Sequence, residues 1–135
     1  QNLGVKVELN TVGDYQMFAN ERDNKNYDIF VGGWFSDYND PLDFLNVMKT
    51  GVYDSYGLYS NSEYDSLIDS LTGENDNAKR LEIYQKLEDL LVAQDCGVAP
   101  LYYSDKHYYY QNWVKDFYTS SFGASQELYR ASVQK

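Results

Sequence analysis

Leu3, Val5, Val7 and Leu9 alternate with polar residues near the start of the chain. A period of two places those side chains on one face of a strand. The run Thr11-Val12-Gly13-Asp14 is a capping start for a helix, and Val12, Tyr15, Phe18 and Ala19 give that helix an apolar stripe. Its end is expected in the polar stretch of residues 20–26. Tyr27-Asp28-Ile29-Phe30-Val31-Gly32-Gly33-Trp34 is continuously apolar at its centre, the pattern of a strand buried on both faces. These segments predict a β-α-β unit with a right-handed crossover.

The pattern breaks after Trp34. Phe35-Ser36-Asp37-Tyr38-Asn39-Asp40 is rich in turn formers. Pro41 suits a first helical position with Asp40 as cap, and a helix is expected to run to about Met48. Residues 51–59 read as a loop. Ser60-Asn61-Ser62-Glu63 has the spacing of a capping box. Tyr64, Leu67, Ile68 and Leu71 follow at i, i+3, i+4 and i+7, with Gly73 to close the helix. A further helix starts near Asp76, carries Ile83, Leu87, Leu90 and Leu91 on one face, and ends near Cys96-Gly97. Residues 98–103 and 106–111 read as a returning pair of strands. Pro100 favours an edge or a strand start. From Trp113 onward no core face is evident, and no repeat or low-complexity tract occurs.

Composition narrows the function classes. The chain has 135 residues, 43% of them hydrophobic, which suits one globular unit. The net charge of −10 repels phosphate backbones, so a nucleic-acid partner is not expected, nor is direct contact with an anionic membrane surface. The 15 tyrosines pair an apolar ring with a hydroxyl that stays wet, which suits grooves and partner surfaces; the plainer alternative is that they stand in for Phe. The single cysteine, Cys96, allows no disulfide within the chain and is expected as a small buried residue. No membrane span or signal peptide is evident. The chain opens directly into a strand pattern, as expected of a processed chain or an excised piece.

Ligands of open α/β sheets bind beyond the carboxyl ends of strands, so the segment from Gly32 to Pro41 is the natural site. Gly32 and Gly33 remove side chains where another backbone can approach; a bulge or a helix packing contact is the alternative. Trp34 would stack on a ligand or cap the core. Asp37, Asp40 and Asp43 are closely spaced carboxylates. Asp40 is most simply a cap, and Asp43 sits in a first helical turn where the macrodipole favours it. Asp37 has neither role and is the candidate for binding a cation. No metal-ligand spacing is evident. His107, the one histidine, has no nucleophile motif beside it.

The segment Tyr27-Asp28-Ile29-Phe30-Val31-Gly32-Gly33-Trp34-Phe35-Ser36-Asp37-Tyr38-Asn39-Asp40-Pro41-Leu42-Asp43-Phe44-Leu45 resembles the C-terminal lobe of the family 5 extracellular solute-binding proteins, the oligopeptide- and dipeptide-binding components of ABC importers. Tyr64-Asp65-Ser66-Leu67-Ile68, Arg80-Leu81-Glu82-Ile83-Tyr84-Gln85-Lys86-Leu87-Glu88 and Val98-Ala99-Pro100-Leu101-Tyr102-Tyr103 resemble later segments of that lobe, in the same order. The resemblance covers nearly the whole chain.

The resemblance implies an α/β fold, part of the C-terminal lobe of a type II periplasmic-binding-protein-like architecture, with a β-α-β unit, helices and a returning strand pair. Residues 1–112 would belong to the second, ligand-binding lobe, and residues 113–135 would cross back toward a first lobe not in this chain. A peptide would lie between two lobes, with Asp37 gripping its α-ammonium. Gly32, Gly33, Trp34, Phe35 and Tyr38 would line the site, the backbone of Gly33 to Phe35 pairing with the peptide main chain. Val31 stands where some of the family's peptide binders carry a basic residue for a peptide's C-terminal carboxylate. The implied partners are an oligopeptide, permease subunits of an ABC transporter and the first lobe. The implied location is extracellular, as a lipoprotein or in a periplasm. No cofactor or catalysis is implied, and self-association of the isolated piece is expected. Other solutes of the family (nickel complexes, sugars, haem) remain alternatives. So do a hydrolase using Asp37 with Asp40 or Asp43, and a carbohydrate-binding module built on Tyr108 and Tyr110.

Overall fold

The computed structural model describes residues 3–52, 59–123 and 126–134. The chain divides into two compact units, Gln1–Val31 and Gly32–Lys135.

The first unit is built on helix α1, Tyr15–Asp23. Asp14, the last residue of the expected capping run, is the cap, its side chain accepting from Met17 N at 2.9 Å, so the helix starts later than a box led by Thr11 and a stripe including Val12 would place it. The helix closes with the amide of Asn26 on Glu21 O and that of Lys25 on Arg22 O. This is a Schellman closure, with Lys25 in the left-handed region at φ 59°. Ala19 is buried, and Phe18 meets the ring of Phe30 at 5.0 Å.

The second unit holds the main core. Helix α2, Leu42–Leu45, continues as a 3-10 turn over Asn46–Met48. Helix α3 spans Ser62–Ser70 and helix α4 spans Asn77–Glu88. A π-helical turn, Asp89–Gln94, extends α4. Asp76, at the expected start of α4, caps it, accepting from Ala78 N and Lys79 N. The cap of α3 is Asn61, whose Oδ1 accepts from Glu63 N and Tyr64 N. The expected capping box on Ser60 is therefore replaced by a neighbour with the same chemistry. Leu45, Val47, Met48, Tyr64, Ile68, Leu71, Tyr84, Leu87, Leu90 and Leu91 form one buried cluster. Tyr64 and Leu87 are fully enclosed, each such side chain contributing about 1.5–3 kcal/mol. The Tyr64 hydroxyl satisfies itself on Leu45 O at 2.7 Å, which ties α3 to the end of α2. Cys96 is exposed, contrary to expectation. It sits just past the π turn at φ 51°, and that left-handed turn carries it out of the apolar stripe.

The expected strands are not formed. Residues 3–9, 27–34, 98–103 and 106–111 join no ladder among the described residues. Alternation supplies only half of what a strand needs, and the other half is a partner's row of N–H and C=O groups. Residues patterned for burial stand open instead: Leu3, Val7, Leu9, Ile29, Val31, Leu101 and Tyr103 are all exposed. The ladders that do form lie in the tail. Strands β1 (Val114–Lys115) and β4 (Ser132–Val133) pair antiparallel, as do β2 (Tyr118–Thr119) and β3 (Gln126–Glu127). Two-residue strands leave no periodicity to read. Residues 53–58, the centre of the expected loop, lie outside the described residues.

Candidate ligand-binding site

The segment of residues 32–43 is fixed by its own carboxylates. Asp40 acts as the expected cap, its Oδ1 accepting from Leu42 N at 2.9 Å. It also does something the local sequence does not announce. Its Oδ2 accepts from Arg80 Nη2 at 2.7 Å, and its Oδ1 accepts from the Tyr84 hydroxyl at 2.5 Å, while Arg80 donates to that hydroxyl in turn. Burial acts to raise the Asp40 pKa. The hydrogen bonds from Tyr84 and Leu42 N, with the charge of Arg80, outweigh it and hold the group below the usual carboxylate value. The Tyr84 hydroxyl is pushed up to about 12, first by burial and then by Asp40. The start of α2 is thereby locked to α4.

Asp43 is buried, at 6% exposure. A carboxylate favoured by the macrodipole was expected in this first turn. Its Oδ2 accepts from the Trp34 indole Nε1 at 3.1 Å and from Asp37 N at 2.8 Å. A buried carboxylate is costly unless it is hydrogen-bonded, and these two bonds meet that need while fixing the loop. Trp34, half-buried, packs against the core, so the ring caps the core while its N–H serves Asp43.

The candidate residues are arranged around that anchor. Gly32, Gly33, Phe35, Asp37 and Tyr38 are exposed. A Cβ placed on Gly33 would meet no atom within 4 Å, so no helix packs against it among the described residues. Neither Gly33 nor Phe35 makes a backbone hydrogen bond among those residues. Lys106 Nζ lies 5.0 Å from the centre of the Phe35 ring, within cation–π range. The Asp37 carboxylate takes part in no ion pair or side-chain hydrogen bond among the described residues. Ser36 Oγ donates to Tyr38 O at 2.6 Å, and Asp40 N donates to the same carbonyl. The Tyr38 hydroxyl is raised above its ordinary pKa by burial and then by the carboxylates of Asp43, Asp40 and Asp37.

The rival chemistries find little support here. A hydrolase would need two available carboxyls about 5–9 Å apart across a cleft, but Asp40 and Asp43 are both occupied by donors. A carbohydrate platform would need coplanar Tyr108 and Tyr110. Both rings instead pack on Phe117, at interplanar angles of 65° and 51°. Among the described residues no group of three His, Cys, Asp or Glu is placed to hold a metal ion. The bonds of Asp43 to Trp34 and Asp37 and of Arg80 to Asp40 were not expected from the sequence. Each depends on a contact that residue spacing does not encode.

No family model matches the chain. The oligopeptide-binding protein of Bacillus subtilis (strain 168) is 32% identical to it over 118 residues, which is 86% of this chain and 20% of that protein. The substrate-binding domain of an oligopeptide ABC transporter from Bacillus anthracis superposes with a TM-score of 0.80 at 28% identity, over 93% of this chain and 24% of that one. The peptide-binding pheromone receptor PrgZ superposes with a TM-score of 0.77 at 27% identity, covering 98% of this chain and 25% of the receptor's. Over most of its length the chain is similar to the oligopeptide-binding family of solute-binding proteins. It spans about a fifth of the length of the curated relatives it matches. Its fold is that of part of a substrate-binding domain in this family, as the α/β reading anticipated. Those relatives are binding proteins by name. Among the described residues no helix is long and apolar enough to cross a membrane.

Proposed function

We propose that residues 32–38 are part of the peptide site of an ABC importer's solute-binding protein, with Asp37 as the carboxylate that receives the peptide's α-ammonium. The observation that carries this is an exposed carboxylate, without a cation among the described residues, mounted on a backbone that is itself anchored at 2.8 Å by Asp43. The open side of Gly33 and the unpaired backbone groups of Gly33 and Phe35 support strand addition. Residues two apart present their backbone groups along the same edge, so a peptide main chain can pair there without regard to its side chains. Trp34, Phe35 and Tyr38 supply apolar surface around that line. Residues 1–112 belong on this reading to the second lobe, and residues 113–135 cross back to the first. Closure of two lobes encloses the peptide before delivery to permease subunits outside the cytoplasm. The protein acts by binding, without catalysis or cofactor.

The test is calorimetry on the full-length protein. Asp37→Ala is expected to weaken unmodified peptides by about 2–5 kcal/mol, the cost of leaving a buried ammonium unpaired. N-acetylated peptides carry no ammonium and are expected to lose far less. Equal losses for both would remove Asp37 from the assigned role.

A further inference from the structure

The peptide unit joining Ser36 to Asp37 is held at both ends. Its N–H, on Asp37, donates to Asp43 Oδ2 at 2.8 Å. Its C=O, on Ser36, accepts from Gly123 N at 2.7 Å. A trans peptide is planar, with these two groups on opposite edges, so the two partners grip one rigid plate from opposite sides. Asp37's α-carbon is bonded directly to that plate. The gripping groups come from distant places: Asp43 is buried at the start of α2, and Gly123 belongs to the tail, between β2 and β3.

Both groups are suited to the task by features that otherwise lack a reason. Asp43 is the buried charged residue among the described residues, and its Oδ2 serves Asp37 N and Trp34 Nε1 together. Gly123 sits in the left-handed region at φ 65°, and a Cβ there would come within 3.1 Å of Asp37 O. A side chain at 123 would therefore be strained in its own backbone and would press on Asp37 itself.

We propose that Asp43 and Gly123 are positioning residues for Asp37, clamping the peptide unit before it so that its carboxylate is presented at a fixed point. The clamp gives the tail a part in the site, because Gly123 reaches residues 36–37 through a backbone bond. It also commits the N–H of the 36–37 peptide, so that this unit has no donor left for a ligand's main chain. Pre-organisation of this kind raises affinity by lowering the ordering cost of binding.

The inference rests on the assignment of Asp37 to the ammonium, and the experiment separates the two. The quantity read is the ratio of dissociation constants for an N-acetylated peptide and the same peptide unmodified, in the full-length protein. Asp37→Ala is expected to bring the ratio near one. Asp43→Leu and Gly123→Ala are expected to lower it by up to about tenfold, the scale of one well-made hydrogen bond. Asp43→Asn is isosteric, and its amide oxygen can take both donors. It is expected to keep the ratio within about threefold of the original, a difference below one such bond. Amide exchange of Asp37 and of the Trp34 indole should quicken in Asp43→Leu and stay slow in Asp43→Asn. If Asp43→Leu fails to fold, Gly123→Ala decides, since residue 123 is exposed. A ratio that collapses in Asp37→Ala but is unchanged in Gly123→Ala would overturn the clamp. So would one that falls as far in Asp43→Asn as in Asp43→Leu, because charge rather than geometry would then be acting. If Asp37→Ala leaves the ratio unchanged, the ammonium assignment itself has failed.

Discussion

Gly97 and Gly33 differ in what surrounds them, and the difference separates folding from binding. A Cβ on Gly97 would stand 2.6 Å from Tyr59 Cδ2 and 3.1 Å from Leu91 Cδ1. Gly97→Ala is expected to destabilise the second unit by about 1–3 kcal/mol, the range for overpacking, as read from denaturant unfolding. Gly33 has open space around it. Gly33→Ala is expected to leave stability within about 0.5 kcal/mol of the original, as for a surface substitution, while weakening peptide binding on the proposed reading. A large loss of stability in Gly33→Ala would show that the glycine serves packing. At this scale the sequence is legible where chemistry is local. Asp14, Asp40 and Asp76 cap within two or three residues of themselves; Asp40 was readable as a cap, and Asp14 and Asp76 lay at the expected helix starts. The burial and the indole partner of Asp43 were not readable, because both depend on how the chain folds back over α2.

Helices α3 and α4 were readable for the same reason, since each contains its own hydrogen bonds and stops at its own caps. Asn61→Ala should cost about 0.5–2 kcal/mol by removing the cap of α3, measured by thermal unfolding against wild type. The strand segments show the opposite case. Their alternation is plain in residues 3–9, yet Leu3, Val5, Val7 and Leu9 are all exposed, because pairing is a property of two segments and the described residues supply one. The lock between α2 and α4 has a signature in pH. Burial and then Asp40 push the Tyr84 hydroxyl up to about 12, above the ordinary tyrosine value of about 10. Its contribution is therefore complete below pH 10 and is lost as pH rises toward 12. Asp40's folded pKa is lowered from 3.8, so its contribution is present above that value and is lost as pH falls below it. Tyr84→Phe removes one titrating group and is expected to flatten the alkaline fall in stability between pH 10 and 12 relative to wild type. An unchanged alkaline limb would mean that the hydroxyl does not hold the helices together.

The chain's length relative to its relatives governs how the whole behaves. It spans about a fifth of them and presents open apolar faces over residues 3–9 and 98–103. Unpaired strand segments invite partners, and we propose that strands elsewhere in the full-length protein are those partners. The chain alone is then expected to self-associate in sedimentation and to bind peptides more weakly than about millimolar. An exposed ion pair contributes about 0–1 kcal/mol and each hydrogen bond about 0.5–1.5 kcal/mol, against an association cost of at least roughly 4 kcal/mol. A clean monomer with micromolar affinity would show the chain to be a sufficient binding unit. The central claim is that the intact protein holds peptides by their amino ends. Native mass spectrometry of the full-length protein, purified without unfolding and then stripped to release what it carries, tests this most directly. A mixture of peptides with free amino termini is expected; a single non-peptide solute, or peptides whose amino ends are blocked, would contradict the claim.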